Sequence, residues 1–224
     1  MKLRFNFLAI ETFGRLQRTK EFVQLLHNAL PTESLRETED LKLFAESEGW
    51  DFGDYQVEKQ LLDERLNHWM PRLAAYSCII LLYSIVESQL QECAEQVGKT
   101  HKTSFCVQDL CGADVEKAAL YLRRVAGVDV KKDAGWLHIE NLRQLRNLIV
   151  HAGGKPVKEK HQSLIAKLSK SHPGYVKYEE SCWPPHGQVW ISMNLCSYFE
   201  DQITEFFKRL FKELGLSEKG TEFA

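Results

Sequence analysis

No two cysteines in this sequence stand at the two-residue spacing of a zinc ribbon or a redox pair. The six that occur (Cys78, Cys93, Cys106, Cys111, Cys182 and Cys196) are scattered along the chain. The nearest thing to a ligand set is Cys182-Trp-Pro-Pro-His186, two potential ligands with no second pair at matching spacing, so neither a metal nor a cofactor is expected. Cys78, Cys93 and Cys196 fall within apolar helical patterns, where small buried thiols are common, and free thiols are expected throughout. A membrane-length apolar run is also missing. The most apolar stretch, Leu73 to Val86, is interrupted by Tyr76, Ser77 and Ser84 and is too short to span a bilayer. The opening MKLRFNFLAIETFGRL lacks a long apolar core and a small-residue cleavage site, so the expectation is a cytoplasmic protein with no membrane partner. Internal repeats and low-complexity tracts are absent, which removes solenoids and disordered linkers from consideration.

Net charge is nearly absent too, at -2, but that figure averages two opposed segments. From Thr32 to Asp54 there are eight acids and two bases; from Gly153 to Lys177 there are six lysines and one acid, Glu159. A lysine-rich stretch of this kind is either a solvated surface or a hold on a polyanion. The rest of the composition, 44% hydrophobic and 27% charged over 224 residues, is that of a globular chain with one full-sized core.

Helical periodicity dominates. Apolar residues at helical spacing predict a helix over Phe13–Leu30, stopped by Pro31, and a second from caps at Thr32 and Ser34 to Glu48. The stretch Gly49 to Asp54 reads as a connection packed by its aromatics. A helix then runs over Tyr55–Met70, and Pro71 either kinks it or opens a new one reaching Val97. Shorter helices fit Val107–Leu110 and Ala113–Ala126. The next spans Ala134–His151 and stops at Gly153-Gly154, with Pro156 beyond. The last runs over Met193–Leu214. Val176-Lys177-Tyr178 and Val189-Trp190-Ile191 form either a small hairpin or an irregular loop. The fold class expected is all-α: a helical bundle of four to five core helices, with extra N-terminal helices and a small β-hairpin before the last helix. In domain terms this is an N-terminal helical extension over 1–54, a helical domain over 55–214 and a tail over 215–224.

One helix stands apart. At about 100° per residue, Leu142, Leu145, Leu148 and Ile149 share an apolar arc, and Glu140, Arg143, Asn147 and His151 form a polar stripe opposite. Arg146 lies outside that stripe, between Leu142 and Ile139, on a flank that meets neighbouring helices. A guanidinium at a packing border needs partners for its charge. Internal carboxylates would make Arg146 structural; phosphates of a ligand would make it functional, because its planar fork of donors matches them. His151 sits in the last helical turn, where unsatisfied carbonyls favour an imidazolium. Histidine beside arginine suits phosphodiester chemistry.

The segment Leu145-Arg146-Asn147-Leu148-Ile149-Val150-His151, with Ala152-Gly153-Gly154 after it, resembles the signature of HEPN domains. Similar features are the earlier Leu81-Leu82-Tyr83-Ser84-Ile85-Val86-Glu87 helix and Val189-Trp190-Ile191-Ser192 running into a long amphipathic helix. The resemblance covers roughly Leu61 to Leu214. It implies a bundle of four or five helices that forms a homodimer with two motif helices facing, and a metal-independent endoribonuclease of the toxin or phage-defence kind. In that case His151 moves the proton, Arg146 stabilises the scissile phosphate and Asn147 orients His151. Glu87 has a supporting role, and Lys155, Lys158 and Lys160 bind RNA. A cognate antitoxin is the implied protein partner. Two alternatives stay open: a non-catalytic dimeric module that binds RNA, a nucleotide or a partner protein, and a helical scaffold in which Arg146 is a core ion-pair residue.

Overall fold

A computed structural model describes residues 6–179 and 187–216. Cys182 and His186, the one ligand pair singled out above, lie outside the described residues, as does most of the C-terminal tail. The fold is all-α apart from one antiparallel hairpin before the last helix. Its long helices are α1 (Phe7–Glu48), α2 (Phe52–Glu64), α3 (Met70–His101), α4 (Asp114–Val125), α5 (Trp136–Ala152), α6 (Glu159–Ser171) and α7 (Met193–Glu213); β1 (Val176–Glu179) and β2 (Gln188–Ile191) precede α7. The strands pair Val176 with Ile191 and Tyr178 with Val189.

Three local expectations are corrected. Pro31 does not end a helix: α1 runs through it. A proline inside a helix removes one hydrogen bond and crowds one carbonyl, a cost of about 3 kcal/mol, and the helix continues through it. Beyond Pro31, Glu37 is salt-bridged to Arg65, Ser34 hydrogen-bonds Asn67 at 3.3 Å, and Phe44 packs edge-on against Trp50 with centroids 5.5 Å apart. Thr32 caps nothing; its hydroxyl donates back to the Asn28 carbonyl at 3.2 Å. The connection after α1 is shorter than 49–54, because Asp51 caps α2 by accepting from the Asp54 N–H at 2.9 Å.

Pro71 falls in the first turn of α3, which opens at Met70 as one of the two expectations had it. A π-helical turn, Arg65–Trp69, joins α2 to α3, with the Met70 N–H donating to the Arg65 carbonyl. The widened turn gives room for a ring that would otherwise press on the carbonyl four residues back. Within Phe52–His101 one window reaches a mean hydropathy of 1.5 and passes a membrane-span test by length and composition; 56% of it is buried inside the protein, as in a core helix.

The chain divides into two compact units, and α1, α3, α5 and α7 each contribute residues to both. The boundary expected at residue 54 falls inside α2. The first unit takes the described residues up to Lys20, Ile79–Asn147 and those from Tyr198 onward. Its core is aromatic: Phe199, Phe206, Phe207 and Phe211 of α7 are fully buried, as are Leu82 and Leu90 of α3 and Ile139 and Leu142 of α5. Phe13 meets Phe211 edge-on at 5.7 Å. Asp133 accepts both Arg209 donors, at 2.7 and 2.8 Å, and its other contact is the Gly135 N–H at 2.6 Å. Arg209 thereby holds the Asp133 carboxyl below the usual range, and the entry to α5 is tied down.

The second unit takes Glu21–Cys78 and Leu148–Ser197. Buried here are Leu148 and Ile149 of α5, Leu164, Ile165 and Leu168 of α6, and Val176, Val189 and Ile191 of the hairpin. α6 has no counterpart among the helices expected from sequence. Its apolar stripe is short, and the lysines around it read more readily as surface. The hairpin also fixes the exit of α5. The Val189 N–H donates to the Gly154 carbonyl at 2.9 Å, and the Gln188 side chain to that of Gly153 at 2.8 Å. The Tyr76 hydroxyl donates to the Val189 carbonyl at 2.6 Å. Gly153 and Gly154 both have positive φ, +57° and +79°.

Those two glycines differ in what surrounds them. A Cβ on Gly153 meets open space, whereas one on Gly154 falls onto the Tyr76 hydroxyl. Gly153→Ala should therefore cost only the left-handed backbone penalty, about 1–2 kcal/mol. Gly154→Ala adds overpacking and should lose about 2–4 kcal/mol. Urea unfolding of both variants checks the difference; equal losses would contradict the packing described for Tyr76.

Candidate active site

α5 carries three of the residues singled out from sequence over its last two turns. Arg146 and Asn147 belong to the first unit. Arg146 is half-buried, because the arc that buries Leu142 and Leu145 brings its flank against Tyr83 of α3. The guanidinium carbon lies 5.6 Å from the centre of the Tyr83 ring, within the range of a cation–π contact. Nη1 donates to the Asn147 side-chain carbonyl at 3.1 Å. Nε is buried and has no acceptor. Among the described residues no carboxylate comes within ion-pair distance of Arg146.

Arg143, one turn earlier, behaves differently. It pairs with Glu140 at 2.7 Å and with Glu116 at 3.8 Å. Two arginines on one helix thus have opposite electrostatic settings: the charge of Arg143 is matched internally, and the charge of Arg146 faces only a ring and a neutral amide. Among the described residues none supplies the internal carboxylate that the scaffold reading of Arg146 requires.

Tyr83 is nearly fully buried, at 4% exposure. Burial pushes its phenol up to about 12, with Glu87 adding in the same direction and Arg143 and Arg146 opposing. The hydroxyl is therefore neutral at any working pH, and the ring serves as a fixed platform under Arg146. Glu87, half-buried and one turn further along α3, makes no ion pair among the described residues; its charge is felt at Tyr83. Asn147 turns its carbonyl to Arg146, which makes it a positioning residue for the guanidinium in this structure.

His151 belongs to the second unit. It lies in the last turn of α5, exposed, four residues beyond Asn147 and so on the same helical face. Its imidazole makes no side-chain hydrogen bond among the described residues. Lys155, Lys158 and Lys160 are all exposed and follow it directly, Lys158 being the residue that precedes α6. The charges of Lys160 and Lys158 reach buried His161, whose pKa is lowered first by burial and then by those two lysines. The segment after His151 thus carries concentrated positive charge.

No group of three or more potential metal ligands occurs among the described residues. The first unit offers a guanidinium with no carboxylate partner among the described residues and an amide that holds it, a pair that can bind a phosphate. The second offers a solvent-reached imidazole and flanking lysines, which can move a proton and hold an anion. Sequence reasoning missed Tyr83 and Tyr76, since each acts on a residue more than sixty positions away in the chain; the helical context of Leu81 to Glu87 was visible, but not which side chain faced Arg146. Compared with known proteins, the chain matches no family model, no curated protein and no solved structure.

The contrast between the two arginines has a direct consequence for stability. Arg146→Met removes an uncompensated charge and should leave stability unchanged or higher. Arg143→Met leaves Glu140 and Glu116 without that partner and should cost about 1 kcal/mol. Thermal or urea unfolding reads both. A clear loss in Arg146→Met with none in Arg143→Met would reverse the assignment.

Proposed function

We propose that this protein is a metal-independent endoribonuclease of the HEPN type. The observation that carries the reading is Arg146: a half-buried guanidinium, stacked on Tyr83 and held by Asn147, with no carboxylate partner among the described residues. A phosphate is the ligand whose charge and geometry suit such a group. His151, on the same helix, is the one exposed imidazole among the motif residues, and it supplies the proton transfer.

The reaction that fits these groups is internal transesterification. The ribose 2′-oxygen attacks the adjacent phosphorus as its proton leaves to a base. The bond from phosphorus to the 5′-oxygen breaks, and that oxygen takes up a proton. The products are a 2′,3′-cyclic phosphate and a 5′-hydroxyl. The 2′-hydroxyl is already held beside the phosphorus, so no external nucleophile has to be generated. Arg146 meets the charge that develops on the phosphoryl oxygens. A single motif carries one histidine, whereas attack and departure each need a proton relay; a homodimer that brings two α5 helices together supplies both. The lysines at 155, 158 and 160 hold the RNA backbone. The resemblance of the motif to HEPN toxins and phage-defence effectors extends the proposal to that role, in the cytoplasm, with a cognate antitoxin as partner.

One feature favours the alternative of a dimeric binding module without catalysis: among the described residues no side-chain hydrogen bond fixes the His151 ring. Incubation of the protein with mixed RNA and single-stranded DNA, with and without EDTA, followed by identification of the product ends, separates the two. The expected outcome is RNA cleavage that survives EDTA, leaves a cyclic or 3′-phosphate, spares DNA and is lost in His151→Ala. Light scattering in the same buffer should give the mass of a dimer. Binding without cleavage supports the module; cleavage that vanishes with EDTA, or that cuts DNA equally, contradicts the mechanism.

A further inference from the structure

The part of α1 beyond Lys20 and the whole of α2 belong to the second unit, and they bury very little of their own apolar surface. Within residues 21–48 only Val23 and Ala45 are buried, and α2 has no buried residue. A helix of 13 residues held so little by a core is marginal in water. Apolar side chains are nonetheless plentiful there: Leu35, Leu43 and Phe44 of α1 and Phe52, Val57 and Leu61 of α2 are all exposed. Apolar surface gathered in this way marks a place where another molecule is covered.

Part of this surface is shaped. A groove of about 540 Å³ lies between the two helices, its apolar lining Leu41 and Phe44 of α1 and Leu61 and Leu62 of α2. Phe44 and Leu61 are 52% and 56% exposed, so a docked side chain can reach both. The lining residues of α1 include Glu37, Asp40, Leu41 and Phe44, and those of α2 are Glu58, Leu61, Leu62 and Arg65. On each helix they recur at three- and four-residue spacing, which makes one face of each. The charges there are unevenly matched. Arg65 is occupied by Glu37, and Arg36, which also lines the groove, by Glu33. Asp40 and Glu58 are exposed and make no ion pair among the described residues. From Thr32 to Arg65 the sequence has eleven acids and four bases.

We propose that this groove docks a basic amphipathic helix of another protein. Apolar side chains one turn apart on that helix seat against Phe44 and Leu61, and its lysines or arginines meet Asp40 and Glu58. The negative charge repels nucleic acid and anionic lipid surfaces. A second copy of the chain is a poor occupant for two reasons. Its own α1–α2 face would set acids against acids, and its basic helix α6 has Leu164, Ile165 and Leu168 already buried. The proposal stands apart from the RNA reading, which uses the lysines after His151, and neither falls with the other.

The probe is a synthetic peptide of leucine and lysine placed at helical spacing. Its controls are a peptide of the same composition with the spacing scrambled and one with glutamate in place of lysine. Calorimetry measures affinity for the full chain, and hydrogen exchange locates the contact. The helical lysine peptide should bind wild type and slow exchange in α2, and both controls should bind tenfold or more weakly. Leu61→Ser should lose affinity tenfold or more, and so should the double variant Asp40→Lys, Glu58→Lys, which leaves the apolar lining intact. Phe52→Ser, an exposed residue outside the groove, should bind as wild type does. Circular dichroism should show the same helix content in all three variants, because none of the replaced side chains is buried. Equal binding of the scrambled peptide overturns the proposal, since charge alone would then explain it. So does unchanged affinity in either groove variant, or protection that falls outside α1 and α2. A dimer seen by light scattering in wild type and lost in Leu61→Ser also overturns it, because the occupant is then a second copy.

Discussion

A half-buried positive charge without an internal partner is the constraint on which the account of this molecule depends. Folding places Arg146 between the face of Tyr83 and the side chain of Asn147, and both contacts orient the guanidinium without neutralising it. An ion pair would have stabilised the charge and blunted its function at once. A ring and an amide leave most of the field available to a ligand, at a cost to stability that the surrounding core has to cover. That core is large: the α7 phenylalanines and the apolar arc of α5 are buried to a few per cent or less.

Each end of α5 is secured locally by a different kind of chemistry. At its start, Asp133 is clamped by Arg209 and accepts from the Gly135 N–H. At its end, two left-handed glycines turn the chain back, and the Gly154 carbonyl accepts from Val189 of β2. The small hairpin has only four residues in each strand and cannot be a stability element by itself. Its use is to hold the turn that follows His151. Each anchor holds the part of α5 that lies in its own unit.

Much of this was readable in the chain. The apolar arc through Leu142, Leu145, Leu148 and Ile149 announced a helix with one buried face, and Gly153-Gly154 announced its end. The spacing of Arg146, Asn147 and His151 on that helix drew attention to Arg146, which has no carboxylate partner among the described residues. The N-terminal third was misread at Pro31 because the local penalty was visible and the contacts beyond it were not: the pairing of Glu37 with Arg65 and of Ser34 with Asn67 joins segments about thirty residues apart. α6 was hidden by its lysines, although His161, Leu164, Ile165 and Leu168 have the spacing of a buried helical face. The setting of Arg146 was illegible for a third reason. Whether a guanidinium is matched by a carboxylate is a property of tertiary packing, and no window of sequence contains it.

The most direct measurement is nitrogen-15 NMR of the arginine Nε–H groups, with the Arg146 resonance assigned through Arg146→Lys, during titration with a 2′-O-methyl RNA oligonucleotide. The account predicts that this resonance shifts as a phosphate binds the guanidinium. The resonance of Arg143, whose guanidinium is paired through its two Nη groups with Glu116 and Glu140, should move far less. An Arg146 resonance that stays in place while the RNA binds would contradict the claim that this charge is kept free for phosphate.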